Sequence, residues 1–170
     1  SPTSPRGLKS NTTPRGAALE PLNPLTVTLG VTNVSFVAQA VDWIPELLFD
    51  IIRQAYHHRG FSFVRIIQRC PEFLPKMFEP WLHDPGKTLL LTHPNGLTLS
   101  AETSRIYKNQ REHDPLDIHR AREIASCEDP IPVGILYENP DVPCYEDLRG
   151  AGKPRTAEAI RAGLEAEFDK

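Results

Sequence analysis

Few residues in this 170-residue chain combine a reactive side chain with a defined setting. The sharpest is Cys70, in IIQRCPEF (residues 66–73). An apolar run ends, Arg69 follows, and then comes Cys-Pro. Pro71 removes a backbone donor and stiffens the turn, so the sulfur would be held in place. Position leaves two roles open: a buried structural thiol, or one ligand of a metal site whose other ligands lie elsewhere. The chain has three cysteines, Cys70, Cys127 and Cys144, and no C-x-x-C. An odd count at these spacings is no disulfide framework and fits a reduced, cytoplasmic setting. Nor can three such cysteines form a self-contained four-cysteine site. Cys127 and Cys144, in polar, proline-flanked sequence, read as ordinary thiols.

Other candidates are weaker. His57 and His58 fall in the last turn of an expected helix, where a partly cationic ring suits the macrodipole. His83 and His93 could join Cys70 around zinc, but the spacing matches no zinc pattern. Arg65 and Arg69 flank the strand end, either as surface charge or to meet a cluster or an acidic partner. Ser4, Arg6, Lys9, Thr13 and Arg15, with Ser10 and Thr12, lie in a proline-rich opening segment. They read as a solvated loop or as a set that reaches a phosphate or carboxylate. No glycine-rich phosphate loop, H-E-x-x-H or G-x-S-x-G is present, so the chain holds no self-contained catalytic motif.

The elements that must position Cys70 are legible. SFVAQAV (residues 35–41) reads as a strand. Asp42 is placed to cap a helix that has Pro45 in its first turn. Ile44, Leu47, Leu48, Ile51, Ile52, Ala55 and Tyr56 form one apolar helical stripe, and Gly60 stops it. FSFVRIIQ (residues 61–68) alternates little, as expected of a strand covered on both faces. This is a βαβ unit with a right-handed crossover. Cys70 then lies just beyond the carboxyl end of a parallel strand, the edge where open α/β sheets bind ligands. Two strands cannot cover the stripe, so more must come from later in the chain or from other sequence.

Elsewhere the spacing predicts a helical turn at 77–82 and a hairpin of KTLLLTHP and LTLS around Asn95-Gly96. It also predicts a helix at 117–126, a strand at 131–138 and a helix at 155–168. Residues 1–24 read alone as disordered. Hydrophobic residues make up 39% and charged residues 24%, a globular balance. A net charge of -3 gives no reason to expect nucleic acid or a membrane surface. No apolar run approaches the roughly 20 residues of a membrane span. The 17 prolines are about twice the usual share, which implies much extended loop held against something else. The chain opens without a methionine and reads as cut into the middle of something.

SPTSP, TPRGA, FVAQAV and AYHHRGFSFVRIIQRCPEF, in this order, resemble the beta subunit of 2-oxoacid:ferredoxin oxidoreductases, nearest to the 2-oxoglutarate type. The resemblance is strongest over residues 1–73 and continues more loosely to about 150, where GILYENPDVPCYEDL looks like the C-terminal extension. It implies an α/β fold: the second half of a thiamine-diphosphate-binding parallel-sheet domain (residues 1–73) and an irregular α+β extension (residues 74–170). It implies oxidative decarboxylation of a 2-oxoacid with coenzyme A, thiamine pyrophosphate and Mg²⁺, and electrons passed through a [4Fe-4S] cluster to ferredoxin.

In the family the cluster takes three cysteines near the N-terminus and a fourth from the late Cys-Pro, the position of Cys70. The family's early C-x-x-C and its G-D-G with magnesium-binding Asn are missing here, so Asp42, Asp50 and Asn33 carry no such role. Residues 1–24 would cross the active-site region, with Ser4, Arg6, Lys9, Thr13 and Arg15 toward substrate or coenzyme A. The implied partners are an upstream half of the beta subunit, an alpha subunit and ferredoxin, in a dimer of alpha-beta heterodimers. The contrasting reading is a non-catalytic assembly module built on a truncated thiamine-enzyme domain, with Cys70 idle.

Overall fold

In the computed structural model, residues 3–72, 74, 76–94, 97, 99–150 and 156–168 are described. Strand β1 (Phe36–Val41), helix α2 (Pro45–His57) and strand β2 (Ser62–Ile67) form the expected βαβ unit, after a short helix α1 (Pro24–Thr28). β1 and β2 pair in parallel, from Phe36 opposite Ser62 to Val41 opposite Ile67. The remaining strands come from later in the chain: β3 (Thr88–Thr92), β4 (Gln110–Glu112) and β5 (Ile131–Glu138). Between and after them lie α3 (Glu79–His83), α4 (Ala101–Ile106), α5 (Ile118–Ala125), α6 (Tyr145–Leu148) and α7 (Ala157–Phe168).

The sheet runs β2-β1-β5-β3-β4. β3 is parallel to both β4 and β5, but β5 is antiparallel to β1. The α/β class holds. The sheet is mixed rather than wholly parallel, because β5 enters between two parallel groups that run in opposite directions. At the junction β1 shifts register between Val37 and Ala38. Gly134 faces Gln39 there at φ 140°. A Cβ at Gly134 would stand 2.9 Å from Leu91 Cβ, so a side chain is excluded.

The pleat divides the core in two. Phe36, Ala38 and Ala40 of β1, Leu90 of β3 and Val133 and Ile135 of β5 face α2 through Ile44, Leu47 and Ile51. Val37, Leu89, Leu91 and Leu136 face α1 and α5 through Leu25, Leu29, Ala121 and Ile124. Asp117 caps α5 by accepting the N–H groups of His119 and Arg120 at 2.9 and 3.0 Å. Asn23 caps α1 and donates to the Ala125 carbonyl at 2.7 Å, joining these two helices.

Several expectations need correction. The apolar stripe of α2 is wider than the sheet can cover: Ile52 and Tyr56 stay exposed. β2 is an edge strand, half-buried rather than covered on both faces, because only β1 flanks it. The Asn95-Gly96 turn lies outside the described residues. Among the described strands, both edges of β3 are taken by β4 and β5 rather than by a hairpin partner. The helical turn expected at 77–82 starts slightly later, as α3. Residues 155–168 form a helix from Ala157, with Arg155 outside the described residues. α2 has Ile44 at its N-cap and no side-chain cap bond, so Asp42 is not its cap.

Candidate functional site

The site lies past the carboxyl ends of β1 and β2. Asp42 follows β1 directly and reaches across to the chain leaving β2. Its Oδ2 accepts the Arg69 backbone N–H at 3.1 Å, and its Oδ1 accepts Arg69 Nε at 3.0 Å. One carboxylate thus fixes the residue immediately before Cys70. On the other side, the Leu74 N–H donates to the Cys70 carbonyl at 3.2 Å, closing a tight turn through Pro71. Cys70 sits half-buried, three residues beyond β2 and clamped from both directions.

At the same sheet end lies a cleft of about 500 Å³. Its polar lining includes Ser4, Gln39, Arg65, Cys127 and Glu128; Ile67, Met77, Phe78 and Trp81 supply apolar wall. Gln39 and Arg65 are register partners on β1 and β2, so their side chains rise from the same face. Gln39 is 1% exposed. Its Nε2 donates to the Pro132 carbonyl at 2.6 Å, while its Oε1 has no partner among the described residues. Burial pulls the Arg65 guanidinium below its ordinary pKa, and the Glu128 carboxylate only partly offsets this.

The opening segment is ordered into a loop by Gly7 N–H donating to the Ala17 carbonyl at 2.7 Å and Ala17 N–H to Leu8 at 3.1 Å. Ser4 lines the cleft. With Ser10, Thr12 and Thr13 it also lines a second cavity of about 830 Å³ that reaches Leu74. Arg6, Lys9 and Arg15 line neither. Arg6 pairs with Glu20 at 3.1 Å, and Lys9 and Arg15 are exposed. Ser4 and Thr13 are therefore brought together and the three cations are not. Among the described residues no three of His, Cys, Asp and Glu stand close enough to hold a metal ion.

Sequence reasoning missed three features. Asp42 acts as a clamp, which no local pattern announces because its partner is 27 residues away. Cys127, taken as an ordinary thiol, stands at the cleft because α5 ends against α1. Gln39 could have been noticed as the one amide in an otherwise apolar strand, FVAQAV.

Residues 101–152 match the family model described as the C-terminal part of the pyruvate ferredoxin oxidoreductase beta subunit. A 2-oxoacid:ferredoxin oxidoreductase subunit beta from Sulfolobus is 27% identical over 154 residues, 91% of this chain and 48% of the relative. The 2-oxoglutarate oxidoreductase subunit KorB of Mycobacterium tuberculosis is 38% identical over 79 residues, 46% of this chain and 21% of the relative. The fold matches the solved 2-oxoglutarate:ferredoxin oxidoreductase of Magnetococcus marinus with a TM-score of 0.64 at 24% identity, covering 95% of this chain and 51% of that one. The chain thus spans about half the length of these full-length matches. The resemblance carried by GFSFVRIIQRCP stands: this chain is similar to the beta subunits of 2-oxoacid:ferredoxin oxidoreductases, with residues 101–152 matching the C-terminal family model.

Proposed function

We propose that this chain serves a 2-oxoacid:ferredoxin oxidoreductase of the 2-oxoglutarate type, and that Cys70 is one ligand of its [4Fe-4S] cluster. The substrate assignment leans on relatives named for 2-oxoglutarate. The observation that carries the cluster assignment is the setting of Cys70: a half-buried thiol at the ligand-binding end of a parallel strand pair, in a turn fixed on both sides. Among the described residues no group of His, Cys, Asp and Glu could hold a metal ion, so a cluster at Cys70 would need cysteines from other sequence.

When bound, thiamine pyrophosphate with Mg²⁺ and the cluster would supply the decarboxylation and the transfer of two electrons to ferredoxin, with coenzyme A taking the acyl group. This chain's own residues position and exclude. The Asp42 clamp sets where the Cys70 sulfur stands. Pro71 withholds a backbone donor beside it. Phe78, Trp81 and Met77 keep water from one wall of the adjoining cleft. Thiamine pyrophosphate and Mg²⁺ would be held by sequence outside this chain, and the alpha subunit is the expected partner.

Cys70→Ser in the assembled enzyme tests the reading. Iron content and absorbance near 400 nm should fall, and ferredoxin reduction with 2-oxoglutarate should be lost. Full iron and full ferredoxin reduction in that variant would overturn it.

A further inference from the structure

Arg65 is a cation drawn partly out of water with nothing bonded to it. It is half-buried on β2 and lines the cleft at the Cys70 end of the sheet. A guanidinium offers five N–H donors. Among the described residues, none of those on Arg65 makes a hydrogen bond or an ion pair. Arg59 and Arg69, by contrast, each hold a carboxylate, and Arg122 holds the Leu29 carbonyl. Glu128 lines the same cleft and acts on Arg65 through charge, but it forms no bond to it and is itself exposed. The amide oxygen of Gln39, the register partner of Arg65, is left unbonded, so it does not take up the guanidinium either. Drawing a cation out of water is costly unless an anion compensates it. The open donors of Arg65 therefore suit an anion brought into the cleft.

The rest of the cleft describes what should carry that anion. Ser4 adds a hydroxyl that has no hydrogen bond among the described residues. Ile67, Met77, Phe78 and Trp81 are apolar. A carboxylate on a short methylene chain meets both demands: the guanidinium matches it with two parallel N–H···O bonds, and the methylenes lie on apolar wall. 2-Oxoglutarate carries such a group at the end remote from its reacting carbonyl, a carboxylate on two methylenes. Pyruvate and 2-oxobutanoate do not.

We propose that Arg65 receives the distal carboxylate of the 2-oxoacid and so selects 2-oxoglutarate over 2-oxoacids with one carboxylate. The inference rests on the 2-oxoglutarate reading above and names the residue that would enforce it.

The test is steady-state ferredoxin reduction by the assembled enzyme, with 2-oxoglutarate and with 2-oxobutanoate, alongside iron content and the KM for coenzyme A. Arg65→Met removes the charge and keeps the length. The ratio of kcat/KM for 2-oxoglutarate to that for 2-oxobutanoate should fall by about 100-fold or more, chiefly through the KM for 2-oxoglutarate, with iron content and the KM for coenzyme A unchanged. Arg65→Lys keeps the charge but not the fork and should fall between Arg65→Met and the wild type. Glu128→Gln, at an exposed position, removes a competing carboxylate and should lower the KM for 2-oxoglutarate by about 2–5-fold. An unchanged selectivity ratio in Arg65→Met would overturn the proposal. So would an equal loss on both substrates, which marks a cation needed only for the fold, or a rise confined to the KM for coenzyme A, which assigns Arg65 to a phosphate. If Arg65→Met does not assemble, Arg65→Lys and Glu128→Gln decide, and a KM for 2-oxoglutarate indifferent to both refutes it. A wild-type enzyme inert toward 2-oxoglutarate refutes the functional reading itself, whereas one active on it with selectivity independent of Arg65 refutes this inference alone.

Discussion

Removing the Asp42 carboxylate should loosen the Cys70 turn while leaving the sheet intact. Two interactions are at stake. The ion pair with Arg69 Nε spans 3.0 Å, but the arginine side chain is 48% exposed, so screening limits the pair to about 0.5–1 kcal/mol. The bond from the Arg69 backbone N–H is charge-assisted and 3.1 Å long, on a carboxylate that is only 22% exposed; about 1 kcal/mol is a fair value after discounting for solvent. Asp42→Ala loses both, about 1.5–2 kcal/mol. Asp42→Asn keeps an acceptor for the backbone N–H and loses about 0.5–1 kcal/mol. Since about 1.4 kcal/mol is a factor of ten, amides in residues 68–74 should exchange hydrogen about 10–25 times faster in Asp42→Ala and about 2–5 times faster in Asp42→Asn. Amides of the buried strand β5 should hardly change, because local openings report local free energies. The measurement is hydrogen exchange by mass spectrometry on fragments covering residues 66–74 and 131–138. Unchanged exchange at 68–74 in Asp42→Ala would show that the clamp does not hold the turn. Equal acceleration in β5 would show that Asp42 acts on the whole fold.

Two further outcomes follow from the structure. Gly134→Ala must put a Cβ 2.9 Å from Leu91 Cβ at φ 140°, so it should lower stability by about 2–4 kcal/mol in urea unfolding; a loss below about 1 kcal/mol would mean that the sheet junction yields easily. The Glu46 carboxylate accepts the Thr103 and Ser100 hydroxyls at 2.6 and 2.8 Å, and these bonds hold its pKa below the ordinary 4.5. A depressed carboxyl contributes stability above its unfolded value and loses it as pH falls through the folded one. Thermal unfolding of the wild-type chain should therefore weaken more on going below pH 4.5 than that of Ser100→Ala/Thr103→Val, and parallel pH profiles would contradict the assignment.

The parts of this molecule written in local pattern were readable, and those written across long separations were not. β1, α2 and β2 announce themselves because apolar spacing fixes each element and a short connection forces two of them side by side. The strand at 131–138 was visible from composition alone. Its placement between β1 and β3, antiparallel to one and parallel to the other, was not, because strand order depends on contacts about a hundred residues apart. β4 was missed for a related reason: Gln110–Glu112 has no apolar residue and exists only because the edge of β3 supplies backbone partners. α1 and α4 are too short for a period to emerge, and their caps, Asn23 and Ser100, are the only local sign.

The same division runs through the candidate site. Cys70 could be singled out because Cys-Pro at a strand end is a local statement. Gln39 and Arg65 become a pair only once β1 and β2 are laid in register. A charge pointing inward from an edge strand has a simple use, since it discourages another strand from adding there. That use requires only a solvated cation, and a solvated guanidinium would not have its pKa lowered by burial as Arg65 does. Arg65 therefore lies deeper than edge protection demands, and its register partner Gln39 buries an amide oxygen that has no hydrogen-bond partner among the described residues. Two polar groups that are costly to bury thus stand at one end of one sheet, alongside the clamped turn of Cys70, and only register, not local pattern, brings them there.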